Sequence, residues 1–368
     1  MQVGIAVFSE EMKANRLFDE ALFRDNCTNR FSVLRSLLEQ NGIGCDTLDL
    51  CVGKSVDFLI AHRIDIELNQ ILSAIRNNPQ VRILYVPTES PFIVFMHRPE
   101  ILGRMPFDRV FSWHNDCWKN YSHAVKCPLG QPRIAMQEIP YIPYGNKRFV
   151  TGVFSNKSSK SKYSSYAERV NAIQFFAKKE QGFDLYGIGW ESNRNVEISR
   201  SYKGPCENKT EVMKNYKFSL CFENTTSFAG SVDEKIFDCF ASGTVPIYLG
   251  DPEIAESIPE SCYIDFRKFQ DYEHLYRFLT SMTEEQYAAY LDAAKQFIGS
   301  QAYGQFTSDR YAEILLEQMQ SLMKMPKPTR TIYSFKRKIL RAIAAHPAYF
   351  LSRANLVRRF IFDMTFVW

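Results

Sequence analysis

Along the first 145 residues, short continuous apolar runs alternate with stretches of helical periodicity. Val3–Phe8 (VGIAVF), Val56–His62 (VDFLIAH) and Val81–Pro87 (VRILYVP) are unbroken β-rich runs, whereas Val33–Asn41 and Ile66–Arg76 repeat their apolar residues every three to four positions. Unbroken runs suit strands buried on both faces, and strands alternating with helices build β/α/β units on a parallel sheet. Asp108–His114 and Glu138–Gly145 are two further strand-like runs, and Pro140, Pro143 and Gly145 punctuate the exit. That punctuation places a linker there.

A second alternation follows. Lys147–Ser155, Phe183–Gly187, Lys217–Phe222, Thr244–Gly250 and Cys262–Phe266 read as strands, and Tyr163–Glu180, Thr210–Tyr216, Val232–Ala241, Tyr272–Met282, Glu284–Ile298 and Ser308–Met325 as helices. The expected fold class is therefore α/β. One Rossmann-like domain is expected over residues 1–145, a second over 146–325 facing it across a cleft, and a tail over 326–368.

Composition narrows the class without choosing the chemistry. With 368 residues, 45% of them hydrophobic, and only 17 Gly and 16 Pro, the chain is globular and large enough for two cores. The net charge of +4 hides an asymmetry, because Lys324–Trp368 carries ten bases and a single acid, Asp363. Within that tail Phe335, Ile339 and Ile343 recur at four-residue steps opposite Lys336, Arg337, Lys338 and Arg341. A basic amphipathic segment of this kind suits a helix lying on an anionic membrane surface. No recognition motif accompanies the charge, so nucleic acid is not an expected partner. Nine cysteines without a CxxC pair fit reduced thiols, and no apolar run reaches the length of a membrane span. The expected location is cytoplasmic, peripheral on the inner face of the cytoplasmic membrane.

The densest chemistry lies in Tyr216–Pro252, YKFSLCFENTTSFAGSVDEKIFDCFASGTVPIYLGDP. A buried strand ends in Glu223 and Asn224, a small-residue loop follows, and Glu234 and Lys235 open the next helix. Ligands of open α/β sheets bind at the carboxyl ends of strands, and a helix start offers unpaired N–H groups to phosphate. A carboxylate can hold ribose hydroxyls and a lysine can neutralise a diphosphate, so the order reads as a nucleotide-diphosphate cradle. In the first half, Glu89 in PTESP (Pro87–Pro91) follows a strand, where one base could deprotonate an attacking hydroxyl. His114, also just past a strand, is the second candidate base. The six histidines form no metal-ligand spacing, and the nearest approaches to DxD are Asp65-Ile66-Glu67 and Asp271-Tyr272-Glu273. An obligatory divalent metal is not expected.

The same residues resemble the signature of the family 10 fucosyltransferases: Tyr216, Lys217, Phe218, Phe222, Glu223, Asn224, Glu234, Lys235, Gly243, Thr244, Pro246 and Gly250 all match it. Looser matches run through Ser155–Lys157, Glu168–Phe176, FDLYG and YKGP upstream, and Glu89-Ser90-Pro91 resembles the family's Glu-Ser-Pro element. The resemblance implies a GT-B fold and transfer of fucose from GDP-fucose, with inversion, to a hydroxyl of a glycan acceptor such as a lipopolysaccharide or other surface glycan, through an α-1,3 linkage. It implies Glu89 as general base, Glu234 on the ribose, Lys235 and Arg169 on the diphosphate, and Asn224, with Tyr216 and Glu223, in the donor-binding set. The loop Thr225–Asp233 departs from the family pattern, being longer and lacking an aromatic immediately before the Glu-Lys pair. The alternatives are another GDP-sugar as donor, or a nucleotide-sugar or glycan-binding protein without turnover.

Overall fold

The computed structural model describes residues 1–23 and 27–345, which form two compact units. In the first, parallel strands β1 (Gln2–Ile5), β2 (Gly44–Thr47), β3 (Phe58–Ala61), β4 (Arg82–Tyr85), β5 (Arg109–Ser112) and β6 (Ala124–Lys126) lie in the order β2-β1-β3-β4-β5-β6. They alternate with α1 (Asn29–Gln40), α2 (Ile64–Asn77), α3 (Pro99–Leu102) and α4 (Asn115–Asn120). Both faces of the sheet are covered, so side chains divide strictly by parity. Along β4, Ile83 and Tyr85 enter the core on the α2 side, while Leu84 and the following Val86 enter the other.

The second unit repeats this plan. Parallel strands β7 (Arg148–Val153), β8 (Phe183–Tyr186), β9 (Tyr202–Gly204), β10 (Tyr216–Phe222), β11 (Val245–Leu249) and β12 (Ile264–Asp265) lie in the order β12-β11-β10-β7-β8-β9. Around them pack α5 (Tyr166–Phe176), α6 (Val196–Ser201), α7 (Lys209–Met213), α8 (Glu234–Ala241), α9 (Tyr272–Ser281), α10 (Glu284–Ile298) and α11 (Gln301–Gly304). The strand order reverses between β1 and β3 in the first unit and between β7 and β10 in the second, leaving a crevice at each switch point.

The units divide at Gly130/Gln131 and at Gln305/Phe306, not at the expected positions 145 and 325. The Pro-rich segment is no free linker, because it is built into the second unit. Ile134 N donates to Tyr303 Oη at 3.0 Å and Tyr144 Oη to the Met282 carbonyl at 2.9 Å. Nor is Glu138–Gly145 a strand, since Pro140 and Pro143 lack the N–H a ladder needs, and short 3-10 turns flank it. At the other end, α12 (Ser308–Met323) buries Tyr311, Leu315, Met319 and Leu322 in the core shared with α1, and so returns the chain to the first unit.

The described half of the tail forms α13 (Ile332–Ala344), opened by a Thr331/Ser334 capping box. Its apolar stripe does not face outward. Phe335, Ile339 and Ile343 are at most 1% exposed and complete the core on the α2 face, while Arg337, Lys338 and Arg341 remain exposed. The stripe expected to meet a membrane is thus covered by the chain's own core. Residues 346–368 lie outside the described residues. Among the described residues no helix is long and apolar enough to cross a membrane, and the cysteines form no disulfide.

Candidate active site

At the carboxyl end of β10 the chain leaves the sheet through Glu223, Asn224 and a loop that leads to α8. Two helix starts converge there. The Asn224 carbonyl accepts the Ser165 N–H at the head of α5 (3.0 Å), and Glu223 Oε1 accepts the Asp233 N–H at the head of α8 (3.3 Å). The positive ends of two helices therefore concentrate at the β7/β10 switch point, an arrangement suited to an anion.

The charged side chains form two linked groups. Lys235 Nζ lies 2.9 Å from Glu223 Oε2, 3.3 Å from Glu234 Oε1 and 3.5 Å from Asp233 Oδ2. Burial alone would lower the Lys235 pKa, but Glu223, then Glu234 and Asp233, overcome it and keep the ammonium charged. For Glu234, burial pulls upward while Lys235 and Lys209 hold the carboxyl down at about 2. Arg169, on the first turn of α5, donates from Nε to the Phe222 carbonyl (2.9 Å) and from Nη2 to Asn224 Oδ1 (2.7 Å). The rings of Phe154 and Tyr166 lie within about 5 Å of its guanidinium.

The structure thus brings Glu223, Asn224, Arg169, Glu234 and Lys235 together. Glu223 is completely buried and anchors Lys235 and the head of α8. The anion that Lys235 needs at a helix start is supplied internally. Arg169, only 5% exposed, lies in the wall of the site. Tyr216 does not belong to it. It opens β10 while Glu223 follows the strand's end, a separation of roughly 20 Å at the strand rise. Its hydroxyl is used there, donating to Asp184 Oδ2 at 2.7 Å beside Tyr186.

Sequence reasoning missed Lys209 and Asp238. Lys209, on α7, pairs with Asp238 of α8 at 2.8 Å and stands 4.0 Å from Glu234. Asn208, whose side chain caps α7 by accepting the Glu211 N–H, was the available signal for a helix start here. The loop Thr225–Asp233 is tied down by Asp251, which accepts the Gly230 N–H at 3.0 Å. It does carry an aromatic, Phe228, packed on Tyr163 at 5.5 Å between ring centroids.

The candidate bases sit in the first unit, past neighbouring strands. Glu89 lies four residues beyond β4 and is half-buried. Its backbone carbonyl accepts from Nδ1 of the buried His97 at 2.7 Å, and His97 Nε2 meets Tyr85 Oη and the His62 carbonyl at 3.0 Å each. His114 Nδ1 accepts the Asp116 N–H and so caps α4. In the neutral ring Nε2 then carries the proton, and no lone pair remains for base work.

Two doubly wound α/β units, the second with an anion-suited crevice at its switch point, have the architecture shared by the GT-B glycosyltransferases. The model of glycosyltransferase family 10 (fucosyltransferase), C-terminal part, matches residues 145–333. The chain belongs to glycosyltransferase family 10. Among curated relatives, an α-(1,3)-fucosyltransferase of Helicobacter pylori is 36% identical over 86 residues, covering 23% of this chain and 18% of the relative. An α-(1,4)-fucosyltransferase of Arabidopsis thaliana is 34% identical over 77 residues, covering 21% and 19%. The chain thus spans about a fifth of the length of the curated relatives it matches. Among solved structures, an α1,3-fucosyltransferase with GDP-fucose aligns over 90% of this chain and 92% of that one, at 16% identity and a TM-score of 0.55. Anabaena HepE with UDP-glucose aligns over 88% and 100%, at 14% identity and a TM-score of 0.56.

Proposed function

We propose that the protein transfers L-fucose from GDP-fucose to a hydroxyl of a glycan acceptor, with inversion. The observation that carries the reading is the meeting of the α5 and α8 starts at Glu223 and Asn224, inside the segment that matches the family. In this reading Glu234 holds the ribose. The helix ends, Arg169 and the exposed lysines Lys157, Lys160 and Lys162 of the loop after β7 receive the diphosphate, with Lys235 charged but already paired. Glu89 takes the proton of the acceptor hydroxyl. The acceptor oxygen bonds to the anomeric carbon from the face opposite GDP, the bond to the diphosphate oxygen breaks, and GDP leaves with the electron pair through an oxocarbenium-like transition state. The chain's own cations and helix ends supply the neutralising charge, so this reading requires no divalent ion. An α-1,3 linkage on a lipopolysaccharide or other surface glycan, assembled at the cytoplasmic face of the membrane, is part of the proposal.

Calorimetry with GDP-fucose, GDP-mannose, GDP and a UDP-sugar tests the donor, and GDP release with an acceptor panel tests transfer. Preferential GDP-fucose binding supports the reading, whereas equal or absent binding overturns it. Glu89→Gln should lower transfer about 10²–10⁴-fold while GDP-fucose binding is retained. Unchanged turnover would remove Glu89 from the role.

A further inference from the structure

The proposed base sits on a stretch without regular structure. Residues 86–94 connect β4 to a 3-10 turn, Phe95–His97, and form neither helix nor strand. Within them the Ser90 carbonyl accepts the Ile93 and Val94 N–H groups at 3.0 Å each, which closes a turn just beyond Glu89. A carboxylate that must meet a substrate hydroxyl within about 3 Å needs its own peptide held as well, because a displacement of about 1 Å can lower a rate 10²-fold.

His97 provides that hold. Its side chain is buried, and Nδ1 lies 2.7 Å from the Glu89 carbonyl. That carbonyl belongs to the planar peptide joining Glu89 to Ser90, so its direction fixes ψ at Glu89 and with it the course of the side chain. The ring is itself lodged in the first unit. Tyr85 stacks on Phe107 at 4.4 Å between ring centroids, and its Oη accepts the Ile64 N–H at 3.1 Å and lies 3.0 Å from His97 Nε2. On the other side the buried Glu67 accepts the His62 and Arg63 N–H groups at 2.7 and 3.0 Å, which fixes the corner whose His62 carbonyl meets Nε2 at 3.0 Å. The ring thus ties the irregular segment to β4 and to the corner between β3 and α2.

The place of the ring proton follows from its neighbours. Two carbonyls and one hydroxyl face the two ring nitrogens. Burial keeps the ring neutral, pushing its pKa down to about 4, so one nitrogen alone carries a proton. With the proton on Nδ1, the ring donates to the Glu89 carbonyl and Nε2 accepts from the Tyr85 hydroxyl. With the proton on Nε2, a lone pair on Nδ1 would face the Glu89 oxygen at 2.7 Å, the shortest of the three contacts. The first arrangement is the favourable one. We infer that His97, protonated on Nδ1, is the positioning residue for Glu89: it holds the segment that presents the carboxylate and acts through Glu89 without meeting a substrate.

The inference rests on the reading of Glu89 as base, and the test separates the two. Asn keeps an amide near Nδ1 of the ring it replaces, and Gln keeps one near Nε2. GDP release from GDP-fucose with the acceptor panel, GDP-fucose affinity by calorimetry and urea midpoints are compared for the full chain and for His97→Asn, His97→Gln and Glu89→Gln. His97→Gln should lower kcat about 10–100-fold with GDP-fucose affinity unchanged. His97→Asn should keep most of the turnover although, as the smaller side chain, it leaves the larger cavity and the lower urea midpoint. A histidine with a structural role alone would make turnover follow stability, which is the reverse order. The proton is located without turnover by ¹⁵N NMR of the histidine-labelled wild type, where His97, recognised by staying neutral to about pH 4, should be protonated on Nδ1. This keeps the test decisive if the variants fail to fold. A proton on Nε2, an unchanged kcat in His97→Gln, or turnover that follows the midpoints in both variants would each overturn the inference alone. Unchanged turnover in Glu89→Gln would remove the base itself, and the role of His97 with it.

Discussion

Lys235 Nζ lies 2.9 Å from Glu223 Oε2, and that carboxylate is wholly inaccessible to solvent while the lysine side chain keeps 18% of its surface. The pair is an ion pair with one end in the core and the other at the site. Burial drives the Glu223 carboxyl well above the ordinary carboxylate range and Lys235 pulls it back, so removing the lysine leaves a buried carboxyl without its partner that must take up a proton, whereas removing both partners does not.

Lys235→Ala should therefore cost about 3–5 kcal/mol of stability in urea unfolding. Adding Glu223→Gln should recover most of it, because the unpartnered buried carboxyl is gone. GDP binding, measured by calorimetry, should stay weakened in the double variant if Lys235 also serves the ligand. Should the double variant bind GDP as the wild type does, the lysine is a structural strut only.

Tyr216→Phe separates signature from site. The hydroxyl bonds to Asp184 at the amino end of β10, so its loss should cost about 1–3 kcal/mol. GDP affinity should stay within about twofold, since distant sites act independently. A large loss of affinity without loss of stability would return Tyr216 to the donor site.

The same comparison explains what could be read beforehand. The Tyr216–Pro252 segment was legible because its residues answer geometric demands. A β-carbon at Gly250 would stand 2.5 Å from Glu223 Cγ and 2.4 Å from Tyr248 Oη, and Gly243 holds φ 62° with the Pro140 carbonyl 2.8 Å from where its β-carbon would be. Such demands mark residues that build the fold as readily as residues that touch a ligand, which is why Tyr216 and Glu223 looked like binding residues. Long buried strands such as β10 were visible as runs. The edge strands β2, β6 and β9 are only three or four residues long and half-covered, so they leave no pattern. Periodicity showed that the tail is amphipathic, but it carries no information on whether a membrane or a core covers the stripe.

His97 gives the first unit a pH dependence. It is fully buried, and burial pushes its pKa down to about 4 against the upward pull of the Glu89 and His62 carbonyls. Tyr85 Oη and the Glu89 and His62 carbonyls touch it, and Arg63 and Asp65 are the charges nearest it. Because the folded value lies below the unfolded 6.5, the unfolded chain takes the proton first as pH falls. The stability contributed by the neutral ring is complete above pH 6.5 and declines from there toward pH 4, by about 3 kcal/mol in all. Urea midpoints measured across that window should fall more steeply for the wild type than for His97→Gln. Parallel curves would mean that another group carries the slope.

The tail helix divides into two faces that can be tested apart. Ile339 is completely buried in the first unit's core, so Ile339→Ala should cost about 2–5 kcal/mol, as large-to-small core changes do. Arg337, Lys338 and Arg341 point outward, and reversing the first two to Glu should change stability by no more than about 0.5 kcal/mol. With the apolar stripe already used internally, any attachment of α13 to a membrane must be electrostatic, and so weakened by salt. Flotation with anionic vesicles should then show binding that falls on charge reversal and between about 0.05 and 0.5 M salt, while Ile339→Ala, at a temperature where it stays folded, leaves it unchanged. Salt-resistant binding would require the apolar face of α13 to leave the core, and Ile339→Ala would then alter vesicle affinity as well as stability.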